Sequence, residues 1–341
     1  MIKEKINERL KFLEDNKDKL TIDGDVHLTD VANLDEPFNT KLEREPNYYQ
    51  GRPVGLHEVL NEMDIAGIDM CMIWQNPAST LYKKNENFNY QSLLSANRFI
   101  YESVKRYPQK FIPGGWIDPN AMSVTQAKKM ISVLVTEYGF PIVKMNPAQN
   151  EFMIDSPVVL ELVEEIYRFG AIPAFHFGAD TPFTPVEALG RLVEALNGKT
   201  LIAVHMGGGG AGYLEAEETY AKARTLGLNH PNLKYILSAK RDCHIESDLI
   251  SYEMKGKPFS ENLICASDFP YGKMTWNFGG FRCMFDGFKK IGKHPDQRIN
   301  NKDVVFTNEA IQKYLGGNMA KLAIDAYLSI LSKINDKVTS Y

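Results

Sequence analysis

Eight short apolar runs, at 21–28, 68–74, 111–116, 140–145, 172–177, 201–205, 233–237 and 263–266, set the strongest limit on what this chain can fold into. Between them lie stretches with helical spacing, predicted over 56–66, 88–107, 121–138, 157–169, 185–196, 212–226 and about 244–254, with two or three helices closing the chain. Local chemistry marks several ends: Gly67 and Gly170 stop helices, Pro108 follows one, and Ser156 stands at an N-cap position. Strand and helix alternating eight times predict a (β/α)₈ TIM barrel of the α/β class. The rival, a doubly wound open sheet for dinucleotides, calls for a Gly-rich turn after the first strand. None stands there, and the run Gly207 to Gly210 lies after the sixth strand without the required spacing.

The domain reading follows. Residues 1–20 place Ile2, Ile6, Leu10 and Leu13 at helical spacing and form an amphipathic leading helix. Residues 21–341 form the barrel. The polar stretch 29–54 is long for a connection and is expected to serve as a lid or a subunit contact, in a homodimer for instance. A net charge of −4 without a basic block argues against nucleic-acid binding and against docking on an acidic membrane. No apolar run approaches the roughly 20 residues needed to span a bilayer. Cys71, Cys243, Cys265 and Cys283 are scattered and are expected as free thiols in a reducing, cytoplasmic setting.

In a barrel, reactive groups belong at the C-terminal ends of the strands. Asp25 and His27 end the first run and, two apart, share a face. Lys144 ends the fourth, His176 the fifth, His205 the sixth, and Asp268 the eighth. Two of these imidazoles and the two carboxylates would converge as a donor set for one divalent ion. Zinc comes first, with manganese and iron suited to the same donors.

These words, in this order, resemble the amidohydrolase superfamily, and most of all its amidohydrolase-2 branch, which includes aminocarboxymuconate-semialdehyde decarboxylase. The resemblance rests on Ile22-Asp23-Gly24-Asp25-Val26-His27, Met63-Asp64-Ile65-Ala66-Gly67, His176, His205-Met206-Gly207-Gly208, Ala266-Ser267-Asp268-Phe269-Pro270 and Gly317-Asn318-Met319-Ala320-Lys321-Leu322. It implies His27, His176 and Asp268 as metal ligands and His205 as a proton-handling histidine. Asp25 stands where the family usually has the first histidine of H-x-H. The arginines that hold a substrate carboxylate in the branch's decarboxylases have no counterpart at 59–62 or 215–218, and Arg52 and Arg241 are the substitutes available.

The function expected first is hydrolysis of a small organic substrate by metal-activated water, with Asp268 and His205 as catalytic groups. Non-oxidative decarboxylation of an aromatic or unsaturated acid is the second reading, and a barrel that only binds a ligand the third. Arg52, Trp116, Arg241 and His244 are expected to touch substrate. Lys144 is either a second-metal residue, where binuclear relatives carry a carboxylated lysine, or a salt-bridged structural lysine. Trp74, Trp116, Phe177 and Phe269 are pocket walls or plain core. The glycines after His205 are expected to permit close backbone approach, since no P-loop Lys follows. His57, His230 and His294 are expected to be solvated.

Overall fold

The computed structural model describes residues 2–34, 51–179, 182–209 and 216–339. Eight parallel strands run in chain order: β1 (Ile22–Leu28), β2 (Met70–Gln75), β3 (Phe111–Trp116), β4 (Ile142–Met145), β5 (Ile172–His176), β6 (Leu201–Val204), β7 (Leu233–Leu237) and β8 (Leu263–Cys265). Each pairs with the next. The ring closes where Val26 bridges Phe269 and the His27 N–H donates to the Phe269 carbonyl at 2.7 Å. This is the (β/α)₈ barrel that the alternation predicts.

The strand residues are buried because both faces of a barrel sheet are covered, which is why they read as near-continuous apolar runs. Helices Leu56–Ala66, Glu86–Arg106, Val124–Ser132, Pro157–Arg168, Val186–Ala195, Glu217–Asn229, Asp242–Lys255 and Met274–Phe288 surround them. Gly67 ends its helix in the left-handed conformation, with φ of 64°, as a C′ glycine does. The helix predicted over 121–138 is regular only from Val124 to Ser132 and then widens over Val133–Glu137. Ile6, Leu10 and Leu13 of the leading helix Ile2–Asn16 are buried, and that helix lies along the closing helix Asn318–Thr339.

The two ends of the 29–54 stretch are joined by the Thr29 N–H donating to the Val54 carbonyl at 2.8 Å. Its middle lies outside the described residues, as does the start of the helix predicted over 212–226. All four cysteines are free, with Cys71 and Cys265 buried. Among the described residues no helix is long and apolar enough to cross a membrane. One expectation is corrected. The His294 side chain is only 7% exposed, packs on Phe288 and accepts the Asp296 N–H on Nδ1, because the turn before helix Gln297–Asn300 folds over it.

Candidate metal centre

The register of β1 against β2 shifts between Asp23 and Val26, which marks a bulge at Gly24-Asp25. Asp25 and His27 still point to one place: Asp25 Oδ1 lies 3.5 Å from His27 Nε2. His27 Nδ1 is 2.9 Å from the Gln75 carbonyl, which can only accept, so Nδ1 carries the proton. Nε2 is left toward two carboxylates, at 3.5 Å from Asp25 Oδ1 and from Asp268 Oδ1. A backbone carbonyl fixing one ring nitrogen while the other faces anionic donors is the arrangement of a metal-ligating histidine.

Asp268 follows β8 with φ of +59°, and His205 follows β6 with φ of +76°. Non-glycine residues held in this region store strain that surrounding contacts must maintain, and such strain clusters at functional sites. Here the maintenance is visible behind His205. Gly209 donates to the Ala239 carbonyl at 2.7 Å, and a Cβ on Gly208 would meet that oxygen at 2.3 Å. The glycine run therefore serves close backbone approach, as expected from the sequence.

Among the described residues, Asp25, His205 and Asp268 offer ligand atoms that all lie within 4.8 Å of one another, and all three are buried. His27 touches two of the three. His176, half-buried at the end of β5, sets its ring edge-on to His205 with centroids 4.7 Å apart. The structure thus gathers all five expected residues at one end of the barrel. His205 belongs to the tight group, and His176 adjoins it through the His205 ring.

The electrostatics are those of a site short of positive charge. Burial pushes the Asp25 carboxyl up, but Lys144, His27 and His205 outweigh it and hold it well below the usual carboxylate range. Burial raises Asp268, and the charge of Asp25 adds to that rise against the pull of His27. Burial, reinforced by His176, holds His205 well below the ordinary imidazole value, so it is neutral. Asp268 Oδ1 is buried and has no hydrogen-bond partner. A buried, unpaired carboxylate oxygen is costly. Together with a second carboxylate and a neutral imidazole it fits a divalent cation.

Sequence reasoning missed three groups. Ser238, just after β7, sits between Asp25 Oδ2 at 3.1 Å and His205 Nδ1 at 2.8 Å. Its single proton goes to the carboxylate, so His205 donates from Nδ1. Tyr271 lays its ring edge-on to His27 at 5.6 Å and bonds Asn76 Oδ1 at 3.1 Å. Asp23 accepts the N–H and hydroxyl of Ser267, yet burial still pushes it up to about 7. Position alone was the available signal, since each lies within three residues of a strand-end group or ends a strand itself.

The remaining candidates are placed as follows. Lys144 Nζ donates to Asp25 Oδ1 at 3.0 Å and lies 5.0 Å and 5.3 Å from the ring centroids of Trp74 and Trp116. Gly114 makes room for this, since a Cβ there would meet the Trp74 ring at 2.1 Å. Trp116 also stands 6.0 Å from His27, so both tryptophans wall the site. Phe177 packs on Tyr235 in the core. Arg52 is paired with Glu58, Arg241 with Glu217, and His244 Nε2 lies 2.6 Å from the other oxygen of Glu217. The two arginines expected to meet a substrate carboxylate are therefore each held by a glutamate of this chain.

No family model and no curated protein matches the sequence. Solved structures do match in fold. A dihydroxybenzoic acid decarboxylase from a Polaromonas species, solved with bound manganese and the inhibitor 2-nitroresorcinol, is 14% identical, with a TM-score of 0.63 over 89% of this chain and 96% of that one. The 5-carboxyvanillate decarboxylase of Sphingomonas paucimobilis is 16% identical, with a TM-score of 0.59 over 89% and 98%. A 2,6-dihydroxybenzoate decarboxylase from Rhizobium is 12% identical, with a TM-score of 0.58 over 89% and 98%. A protein described as an amidohydrolase II, at 16% identity, shares the same barrel. These neighbours share the (β/α)₈ barrel fold with this chain.

Proposed function

We propose that this chain is a metal-dependent, non-oxidative decarboxylase of an aromatic acid. The observation that carries the reading is the buried Asp268 Oδ1, without a hydrogen-bond partner and 3.5 Å from His27 Nε2, beside the carboxylate of Asp25. Asp25, His27, Asp268 and one or both of His205 and His176 would hold the ion. A bound divalent cation supplies Lewis acidity and neutralises charge on an anionic substrate.

The chain's own groups supply the rest. Trp74 and Trp116 turn their ring faces to the Lys144 ammonium and so hold it beside Asp25. Asp268, just after β8 within the same tight group, is the residue placed to pass a proton to the ring carbon that bears the carboxylate. That carbon gains the proton, the bond to the carboxylate breaks, carbon dioxide leaves, and the bonding pair returns to the ring. Water then returns a proton to Asp268.

The sequence alone placed hydrolysis ahead of decarboxylation and zinc ahead of manganese. Fold neighbours named as decarboxylases, two of them described with bound manganese, support the reverse order for the reaction and favour neither metal for this chain. The test is carbon dioxide release from ortho-hydroxylated aromatic acids by protein loaded with Mn²⁺ or with Zn²⁺. Metal-dependent release is expected. Hydrolysis of esters, amides or lactones by the loaded protein, with no carbon dioxide from any acid offered, would return the hydrolase reading to first place.

A further inference from the structure

The metal reading leaves one buried charge without a role. Lys144 is 1% exposed and sits on β4, across the barrel from β1. Its ammonium has a carboxylate oxygen at 3.0 Å and two indole faces at 5.0 Å and 5.3 Å. Indole faces attract a cation and repel an anion, and so does Asp25. The surroundings are therefore those of an ammonium rather than of a carboxylated, metal-bridging lysine. Burying such a charge is costly unless a partner is set with good geometry.

Asp25 is that partner, and both its oxygens are taken: Oδ1 by Lys144, and Oδ2 by Ser238, which in turn meets His205. A continuous chain of polar contacts thus runs Lys144–Asp25–Ser238–His205 across the barrel end. Without Lys144, the carboxylates of Asp25 and Asp268 would face one another through His27. With it, two carboxylates against one ammonium leave the group one net negative charge.

We infer that Lys144 is the charge-balancing residue of the metal centre. Its ammonium makes a carboxylate tolerable at position 25, at the expense of affinity for the cation. This rests on the metal reading above, and it assigns Lys144 a task outside the ligand set. Ser238 carries the position of Asp25 on to His205.

The sign of one measurement separates this task from a structural one. The dissociation constant for Mn²⁺ is measured by calorimetry on wild type, K144M, D25N and the double variant, after thermal melting has confirmed that each folds. Removing a like charge beside the cation should tighten binding in K144M by about tenfold, and D25N, which leaves the ammonium unpaired there, should weaken it by about a hundredfold or more. The double variant restores the original net charge but not the Asp25 ligand, and should bind about tenfold more tightly than D25N. K144Q, polar and uncharged, replaces K144M if the latter does not fold, with the same sign expected. Unchanged or weaker binding in the lysine variant, or a double variant no better than D25N, overturns the inference while leaving the metal reading intact. A wild-type protein that takes up neither Mn²⁺ nor Zn²⁺ stoichiometrically overturns both.

Discussion

Two buried lysine–aspartate pairs among the described residues differ in what surrounds them. Lys240 pairs with Asp248 beneath the outer helices, and Lys144 pairs with Asp25 at the barrel end. Asp248 accepts from Lys240 on Oδ2 and from Arg224 on Oδ1, while Lys240 also donates to the Met206 carbonyl at 3.3 Å and lies over the Tyr220 ring. Both Asp248 oxygens have a cationic partner, and that network ties helix Asp242–Lys255 to helix Glu217–Asn229. The Asp25 pair has a second carboxylate beside it with an unbonded oxygen, two histidines, and backbone strain at His205 and Asp268. Saturation marks a structural ion pair, and a buried donor set left incomplete marks a place for something else to bind.

The largest expected effect tests the incomplete side. D268N should lower turnover by about 10³-fold, since a positioned acid or base contributes on that order. Its metal-free melting temperature should stay level or rise, because a buried anion next to Asp25 is gone; a steep loss of stability with activity kept would reverse the comparison. D248N should do the opposite, lowering stability by about 3 kcal/mol in urea titration while stoichiometric metal is retained. Metal removal comes next. Adding Mn²⁺ at a hundredfold excess over its dissociation constant should stabilise wild type by about 2.7 kcal/mol, and D248N by the same increment above its lower baseline. A smaller increment in D248N would mean that the saturated pair also shapes the site.

The smallest effect concerns Asp118, after β3, whose Oδ2 is buried without a hydrogen-bond partner and whose carboxyl burial pushes from 3.8 up to about 7. Its folded pKa lies above the unfolded one, so its stabilising contribution is complete below about pH 4 and is lost as pH rises through about 7. D118N should flatten the fall in stability between pH 5 and pH 8, measured by urea unfolding at each pH. Asp23, also raised to about 7, keeps its own share of that slope. An unchanged slope would show that Asp118 gains a partner in solution.

Much of the site was legible because strand ends are legible. An apolar run that stops at His205 or Asp268 is visible as a change of residue type, and barrel architecture turns that stop into a location. The partners were less so. Glu58 and Glu217 claim Arg52 and Arg241 from helices whose facing depends on packing, and nothing in the helical spacing marks either glutamate as different from its neighbours. His294 was read as solvated because a histidine before a proline in a polar stretch has no local sign of the Phe288 ring beneath it.

The alternation of short apolar runs with amphipathic stretches was enough, from sequence alone, to determine eight strands, their order and the end of the barrel where chemistry collects. Hydrophobic periodicity is a local property, and local properties are written residue by residue. Only the tertiary structure decided that Lys144 reaches an aspartate 119 positions earlier, and that Ser238 reaches the same carboxylate across 213 positions. Those contacts depend on how eight strands close into a ring and how far each side chain extends over the axis, and no window of the sequence contains that geometry.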